Sequence, residues 1–376
     1  MNTCDFLVIG AGIAGASGAY ELASYGRVVL LERESLAGYH STSRSAAVLT
    51  ENYGNSIIRR LTVASRQFLE NAPEGFTSSP LISPRGMLWI AREEQRDTLG
   101  TMLTEARKLV PSIHEIDCAE AKRLCPALRD EYLATAILEP EAMDMDVHAI
   151  HQGFLRGFRR RNGDLITGAE VTGLVRSGDS WEVWATKERF GASIVVNAAG
   201  AWCDEIGRLA TARAIGLTPK RRTAFVFDGA THSDLRAWPV VIDVDEQFYF
   251  KPESGCILAS PADETPMPPC DVYAEDYDVA LAVDRIEKAT TLSIRHIRRK
   301  WAGLRSFVAD KAPVVGMDVA LPGFFWLAGQ GGYGIMTSPA MARAAANLIV
   351  EGRLPADLVA AGLIPGDLSP ARLQGA

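Results

Sequence analysis

The chain has 376 residues, of which 47% are hydrophobic, and a formal net charge of −7. This length and composition are sufficient for a large core and about two domains, and the acidic balance argues against a nucleic-acid partner. The six cysteines show neither a C-x-x-C pair nor zinc-ligand spacing, so we expect no metal site and free thiols in a reducing compartment. No apolar run approaches the ~20 residues of a membrane-spanning helix, and we expect no transmembrane segment.

The first element along the chain is a short apolar run that leads into Gly10, Gly12 and Gly15, a G-x-G-x-x-G pattern. In the dinucleotide fold the first glycine permits the strand-to-helix turn, the second lets the backbone approach a pyrophosphate, and the third lets helix and strand pack closely. A second apolar run over 28–31 ends at Glu32, whose carboxylate can accept hydrogen bonds from a ribose diol. This region therefore predicts a β-α-β unit that binds a dinucleotide.

The glycine motif begins so close to the first residue that it leaves no room for a signal peptide. We therefore expect a cytoplasmic protein, with peripheral attachment to the inner face of a membrane as the alternative.

The middle of the chain combines helical and strand patterns. Apolar residues at helical spacing predict a helix over 56–70, and Asp146 as N-cap predicts another over about 147–161. Short apolar runs between 165 and 197 predict strands, and the last of them leads into a turn of small residues. From about 220 to 308 apolar and polar residues tend to alternate, which is typical of half-buried antiparallel strands.

The C-terminal region returns to the pattern seen at the start. An apolar run over 324–328 predicts a strand, and the glycine-rich segment 329–334 follows it. We expect Ser338 to cap a helix with Pro339 at its first position, and we expect this helix N-terminus to stabilise negative charge on a bound cofactor. Two glycine loops more than 300 residues apart indicate a long cofactor with a ring system at its far end.

These motifs together are similar to those of the D-amino acid oxidase (DAO) family of FAD enzymes, and the similarity covers nearly the whole chain. Besides the glycine motif it rests on five longer segments, 38–42, 197–204, 219–222, 301–307 and 330–335. The resemblance implies an α/β fold: a Rossmann-like, glutathione-reductase-type FAD-binding domain and an α+β substrate domain built on an antiparallel sheet. It divides the chain into a discontinuous FAD-binding domain (1–80, 142–218 and 303–376) and a substrate-binding domain (81–141 and 219–302).

The resemblance also implies noncovalent FAD. The cofactor contacts that it assigns, together with the glycine patterns, come from three separate parts of the chain. They are Gly10, Gly12, Ile13, Ala14, Gly15, Glu32, Arg33, Ser41, Thr42, Arg44, Ser45, Ala46, Ala47, Val171, Ala199, Gly200, Trp202, Gly303, Gly331, Tyr333, Gly334, Ile335 and Thr337.

For the substrate, the resemblance assigns a carboxylate clamp to Arg222 and Arg305, with Tyr249 and Tyr53 beside it. No general base is evident, and a water or the Gly332 carbonyl is the candidate partner of the amino group. A planar guanidinium holds a carboxylate through two parallel hydrogen bonds. Each such charge-assisted bond is worth on the order of 1.5–3 kcal/mol.

The predicted substrate side-chain pocket departs from the pattern of D-arginine-oxidising family members. Where these have a histidine and a glutamate, this chain has Val48 with Leu49, and Met87 in a stretch without a carboxylate. A cationic side chain buried there without a counter-charge would cost several kcal/mol. We therefore expect D-Arg and D-Lys to be poor substrates, and we expect Glu51, the remaining candidate carboxylate, to occupy an exposed loop position.

The implied reaction is oxidative deamination of D-amino acids with neutral or apolar side chains. Hydride passes from Cα to the flavin N5, and the resulting imino acid is hydrolysed to a 2-oxo acid. Oxidation of a secondary amine (an N-alkyl amino acid, a cyclic D-imino acid or an opine) or of a 2-hydroxy acid is an alternative within the same fold. A nicotinamide-dependent dehydrogenase and a non-catalytic flavin-binding subunit are alternatives of other classes, and the electron acceptor (oxygen, a quinone or another carrier) is left open.

Overall fold

The computed structural model describes residues 2–186, 188–229 and 235–373. Within these residues it contains twenty strands. In chain order they are β1 (Asn2–Ile9), β2 (Val28–Leu31), β3 (Val48–Leu49), β4 (Ile82–Pro84), β5 (Met87–Ala91), β6 (His114–Ile116), β7 (Thr135–Glu139), β8 (Met143–Met145), β9 (Asp164–Ile166), β10 (Val171–Ser177), β11 (Ser180–Ala185), β12 (Glu188–Asn197), β13 (Thr218–Phe227), β14 (Val240–Asp243), β15 (Tyr249–Glu253), β16 (Cys256–Ser260), β17 (Thr265–Pro266), β18 (Ile297–Phe307), β19 (Val314–Met317) and β20 (Phe324–Ala328).

The same residues form ten α-helices. They are α1 (Ile13–Leu22), α2 (Ser56–Glu70), α3 (Arg96–Ala106), α4 (Cys118–Leu124), α5 (Val147–Arg160), α6 (Cys203–Leu209), α7 (Asp276–Ala289), α8 (Gly334–Val350), α9 (Ala356–Ala360) and α10 (Pro365–Leu368). None of these helices is both long enough and apolar enough to cross a membrane.

The first sheet has eight strands, and its centre is parallel, in the order β20-β12-β1-β2-β9. Strands β10 and β11 pair antiparallel beside the first half of β12, and β19 pairs antiparallel with β20. Helices α1, α2, α5 and α8 pack together with this sheet in one apolar core. The carboxyl ends of β1, β2, β12 and β20 lie side by side, and ligands of open α/β sheets bind at such an edge.

The second sheet has nine strands, in the order β17-β13-β16-β15-β14-β5-β7-β6, with β18 also paired to β13. All of its pairs are antiparallel except β14 with β5. One face of this sheet packs against α4 and α7. The other face packs against α3 at β5 and β7, and carries the site at β13, β15 and β18. Strand β18 runs without a break across the predicted domain boundary at 302/303.

Both central helices occur where the periodicity predicted them. Helix α2 spans Ser56–Glu70, and α5 begins after Asp146, whose side chain accepts a hydrogen bond from the backbone of Ala149. The amphipathic stripe and the N-cap are therefore sufficient to locate these helices.

The predicted start of the last helix was wrong. Helix α8 begins at Gly334, and Pro339 lies inside it rather than at its first position. Proline lacks the N–H that would bond the carbonyl of Ile335, and the hydroxyl of Ser338 donates to that carbonyl instead, at 2.9 Å. Ser338 therefore satisfies the carbonyl that the proline leaves without its backbone donor, and it does not cap the helix N-terminus.

Candidate functional site

A cavity of about 360 Å³ runs from the carboxyl ends of β1 and β2 to strands β13, β15 and β18 of the second sheet. At its first end, Gly10 has φ +97°, and a Cβ there would lie 2.6 Å from the carbonyl oxygen of Ala198. A Cβ at Gly15 would lie 1.7 Å from the carbonyl oxygen of Gly10. Only glycine fits these two positions, so the close approach of β1, α1 and the turn after β12 depends on both.

Glu32 is buried at the same end of the cavity. Its carboxylate accepts hydrogen bonds from the backbone N–H of Ala11 at 2.8 Å and of Glu34 at 3.0 Å. Thr42 contacts the beginning of α1, where its hydroxyl accepts from the N–H of Ile13 at 3.0 Å. A glycine turn, an oriented carboxylate and a helix N-terminus together fit the ribose and pyrophosphate of a dinucleotide.

Aromatic and cationic side chains cover this end. The Arg33 guanidinium stacks 4.0 Å from the centre of the Trp202 ring, which also contacts His40. Arg44 reaches the cavity wall, but its guanidinium is bound to Asp271 at 2.5 Å and to the carbonyl of Ala302 at 3.2 Å.

Most of the residues assigned to FAD from the sequence line this one cavity. Those in its wall are Gly10, Gly12, Ile13, Ala14, Glu32, Arg33, Ser41, Thr42, Arg44, Ser45, Ala46, Val171, Ala199, Gly200, Trp202, Gly303, Gly331, Gly334 and Ile335. Four others lie behind the wall. Gly15 lies against Gly10, Ala47 packs against the apolar core of the first sheet, Tyr333 packs against Tyr53, and Thr337 donates to the Tyr333 carbonyl. The chain thus supplies a continuous, two-ended site that fits FAD.

The two arginines meet at the far end of the cavity because of strand register. Strands β13 and β18 pair Arg222 with Gly303 and Lys220 with Arg305, so Arg222 and Arg305 are diagonal neighbours on one face. The register through β16 and β15 places Tyr249 on the same face, and all three side chains reach the cavity wall.

The charge of Arg305 differs from that of Arg222 in its partners. Among residues 2–186, 188–229 and 235–373 Arg305 makes no salt bridge, whereas Arg222 lies 3.5 Å from Glu264. Burial disfavours the charge of Arg305, but the phenols of Tyr53 and Tyr249 raise its pKa above the ordinary value. A cation that stays charged at a cavity wall without a counter-ion is suited to bind an anionic ligand.

Gly332 lies directly against this guanidinium. A Cβ on Gly332 would come 2.6 Å from Nη1 of Arg305 and 2.7 Å from its Cζ. The absence of a side chain at Gly332 is therefore what allows Arg305 to occupy its position. The neighbouring Gly331 donates its N–H to the carbonyl of Ser306, which fixes the glycine loop to β18.

Tyr53 does not reach the wall of the cavity as the two arginines do. Its hydroxyl donates to Glu246 at 2.9 Å, and its ring packs edge-on against Tyr333. Burial raises the pKa of Tyr53, and the Glu246 carboxylate adds to this while Arg305 opposes it, so the phenol keeps its proton. Sequence reasoning missed Glu246, because only the loop between β14 and β15 brings it to Tyr53.

The residues assigned to the substrate side chain separate into two groups. Met87 is buried in an apolar cluster with Trp89 and Ile242, against which Val48, Tyr53 and Tyr249 pack. Leu49 belongs to a different core, the one beneath the first sheet. The apolar cluster behind the tyrosines therefore contains Val48 and Met87, with Trp89 and Ile242 as members that the sequence did not indicate. These four are not among the described residues that line the cavity.

The expectation that Glu51 is exposed was wrong. Its side chain is buried and accepts a hydrogen bond from Arg66 of α2 at 2.5 Å. Because burial without a partner would be costly, the helix that follows supplies the counter-charge, and Glu51 is not a free carboxylate of the pocket.

Comparison with known proteins agrees with this site. The family model for FAD-dependent oxidoreductases (DAO) matches residues 5–348. The chain is 26% identical to the FAD-dependent oxidoreductase domain-containing protein 1 of Xenopus laevis, covering 93% of this chain and 79% of that protein. It is also 26% identical to the mitochondrial sarcosine dehydrogenase of Mus musculus, covering 94% of this chain but only 40% of that larger protein.

Solved structures share the whole fold. The L-proline dehydrogenase of P. horikoshii superimposes with a TM-score of 0.85 at 23% identity, over 99% of this chain and 98% of that one. Glycine oxidase from Geobacillus kaustophilus gives a TM-score of 0.81 at 22% identity, over 95% and 96%. The arrangement of the two sheets is therefore shared with these enzymes.

Proposed function

Because this chain belongs to the FAD-dependent oxidoreductase (DAO) family and its cofactor is FAD, we propose that it oxidises D-amino acids with neutral or apolar side chains. The observation that carries the proposal is Arg305 at the cavity wall, which makes no salt bridge among the described residues, beside Tyr53 and Tyr249, which pack against the apolar cluster around Met87. An amino acid matches this pair of features, since it offers a carboxylate and, from the same carbon, a side chain.

The protein's part in the reaction is binding and orientation. Arg305 and Arg222 hold the substrate carboxylate from two adjacent strands, which fixes the position of Cα relative to the glycine loop. Such positioning alone contributes substantially to rate. FAD, when bound, supplies the two-electron acceptor for the hydrogen on Cα. The Gly332 carbonyl is the candidate partner of the amino group, because this residue lies against Arg305.

Two carboxylates near this end have partners of different kinds. Glu264 is bound by Lys220 at 2.8 Å, and although burial alone would raise the pKa of Glu264, this bond holds it below the ordinary value. Glu246 accepts the neutral Tyr53 hydroxyl, which does not neutralise a carboxylate. The expected discrimination against D-Arg and D-Lys therefore rests on the apolar cluster around Met87, where a cationic side chain would remain unpaired at a cost.

Oxidation of a secondary amine is the second candidate. It is supported by the similarity to sarcosine dehydrogenase and by the fold shared with the iminodiacetate oxidase of Chelativorans sp., with a TM-score of 0.80 at 21% identity. The arginine pair suits either class, because it recognises only the carboxylate.

Anaerobic bleaching of the flavin in the purified holoenzyme separates these candidates. The panel contains both enantiomers of Leu, Met, Phe and Arg, together with sarcosine, D-proline and 2-hydroxy acids. We expect fast bleaching with D-Leu, D-Met or D-Phe and slow bleaching with D-Arg. Bleaching only by secondary amines would transfer the assignment to the second candidate, and fastest bleaching by D-Arg would contradict the apolar pocket.

A further inference from the structure

Glu139 is a buried acid that the proposed reaction does not use. It is the last residue of β7, and the register pairs it with Met87 of β5, so both side chains lie on the sheet face that carries the site. Only 1% of Glu139 is exposed, and the hydroxyl of Thr50 lies 2.9 Å from each of its carboxylate oxygens. This hydrogen bond joins β7 to the segment that leads to Tyr53.

The same segment, residues 50–54, is held at two further points by helix α2. Arg66 binds Glu51 at 2.5 Å and also donates to the carbonyl of Glu141 at 3.0 Å. Arg59 donates to the carbonyl of Gly54 at 2.9 Å. The segment is thus tied to the second sheet at its start and to α2 along its length, with Tyr53 between these anchors.

We propose that Glu139 and Thr50 are positioning residues, whose buried hydrogen bond holds segment 50–54 so that Tyr53 stays against Arg305 and Glu246 in the substrate site. The proposal rests on the proposed function only in naming the substrate. Thr50 is the anchor that ties this segment to the second sheet, and without it the segment would be held to α2 alone.

The ionisation of Glu139 is coupled to this arrangement. Burial raises its pKa to about 7, the nearby carboxylate of Glu51 adds to the rise, and the bond from Thr50 opposes it. Thr50 can donate to the carboxyl in either protonation state, and more strongly to the ionised one. We therefore expect this bond to hold segment 50–54 at both pH 6 and pH 8.5.

One cation near Glu139 is Arg59 of α2, on which the charges of Glu105 and Glu139 both act. Glu51 and Glu70 bind Arg66. Asp144 of β8 pairs with Arg85 and Lys251, and Lys251 also pairs with Glu253.

The test uses the holoenzyme and the variants Thr50→Val, Thr50→Ser and Glu139→Gln. Thr135→Val is the matched control, because Thr135 lies on the same strand and its hydroxyl donates to a carboxylate, Glu115, at 2.6 Å. Two quantities are measured at pH 6 and pH 8.5: hydrogen exchange of the amides in residues 50–54 without substrate, and KM and kcat for the best substrate of the bleaching panel.

In Thr50→Val we expect exchange in residues 50–54 and KM both to rise about three- to tenfold over wild type at each pH, with a smaller change in kcat. Thr50→Ser should resemble wild type, and Glu139→Gln should change less than Thr50→Val because its amide oxygen still accepts from Thr50. Unchanged exchange in Thr50→Val, or an equal rise in Thr135→Val, would overturn the proposal. If the proposed function is wrong, a different compound will bleach the flavin. The hydrogen-exchange result for residues 50–54 does not depend on which compound that is.

Discussion

Replacing Gly332 by alanine tests whether Arg305 binds the substrate carboxylate. The new Cβ would lie 2.6 Å from Nη1 and 2.7 Å from Cζ of Arg305, closer than any non-bonded contact allows, so the guanidinium must move. Because the obstructed group is the far end of a flexible side chain, the fold should tolerate the change. If the displaced arginine loses both hydrogen bonds to the carboxylate, at about 1.5 kcal/mol each, about 3 kcal/mol of transition-state stabilisation is lost.

This loss corresponds to a decrease of roughly 100-fold in kcat/KM, measured by steady-state kinetics with an artificial electron acceptor. Gly100→Ala in α3 is the matched control, because a Cβ there meets nothing within 4 Å. It should leave kcat/KM unchanged and stabilise the fold by up to about 1 kcal/mol. Flavin content and thermal stability of Gly332→Ala should stay close to wild type. A variant with full flavin content and wild-type kcat/KM would refute the role of Arg305.

Three further predictions concern the cofactor, the pocket and stability. Gly10→Ala should abolish FAD retention during purification, because φ is +97° and the new Cβ would lie 2.6 Å from the Ala198 carbonyl oxygen; retention of stoichiometric flavin absorbance would contradict this. Met87→Glu should raise the ratio of kcat/KM for D-Arg to that for D-Leu at least tenfold, on the order of 1.4 kcal/mol, since it adds a carboxylate to the apolar cluster; an unchanged ratio would place Met87 outside the substrate pocket. The pKa of Glu139 rises from an ordinary 4.5 to about 7, so the stabilisation by its proton is complete below about pH 4.5 and lost as the pH rises through 7. In denaturant titrations, the free energy of unfolding of Glu139→Gln relative to that of wild type should therefore rise by roughly 3 kcal/mol between these limits. Parallel pH profiles of the two proteins would argue against a raised pKa.

The cofactor end of the site could be located from the sequence because its determinants are local. Gly10 and Gly15 are needed within one strand–turn–helix unit, and Glu32 follows the next strand, so the spacing alone indicates the geometry. Helices α2 and α5 were predicted for a similar reason, since an apolar stripe and an N-cap are properties of one segment. At Ser338 the local reasoning failed, because a serine before proline suits either a helix start or a proline inside a helix.

The substrate end of the site depends on pairings between distant segments. Only the tertiary structure decided these pairings. Arg222 and Arg305 come together through the register of β13 with β18, and a shift of one residue would turn one of them to the opposite face. Tyr53 meets Glu246 across 193 residues, and Thr50 meets Glu139 across 89. The sequence by itself therefore determined the family, the cofactor and the residue types of the proposed clamp. Which carboxylates are buried, and which partners they have, followed only from the packing of the two sheets, because burial and ion pairing depend on neighbours that the chain brings from afar.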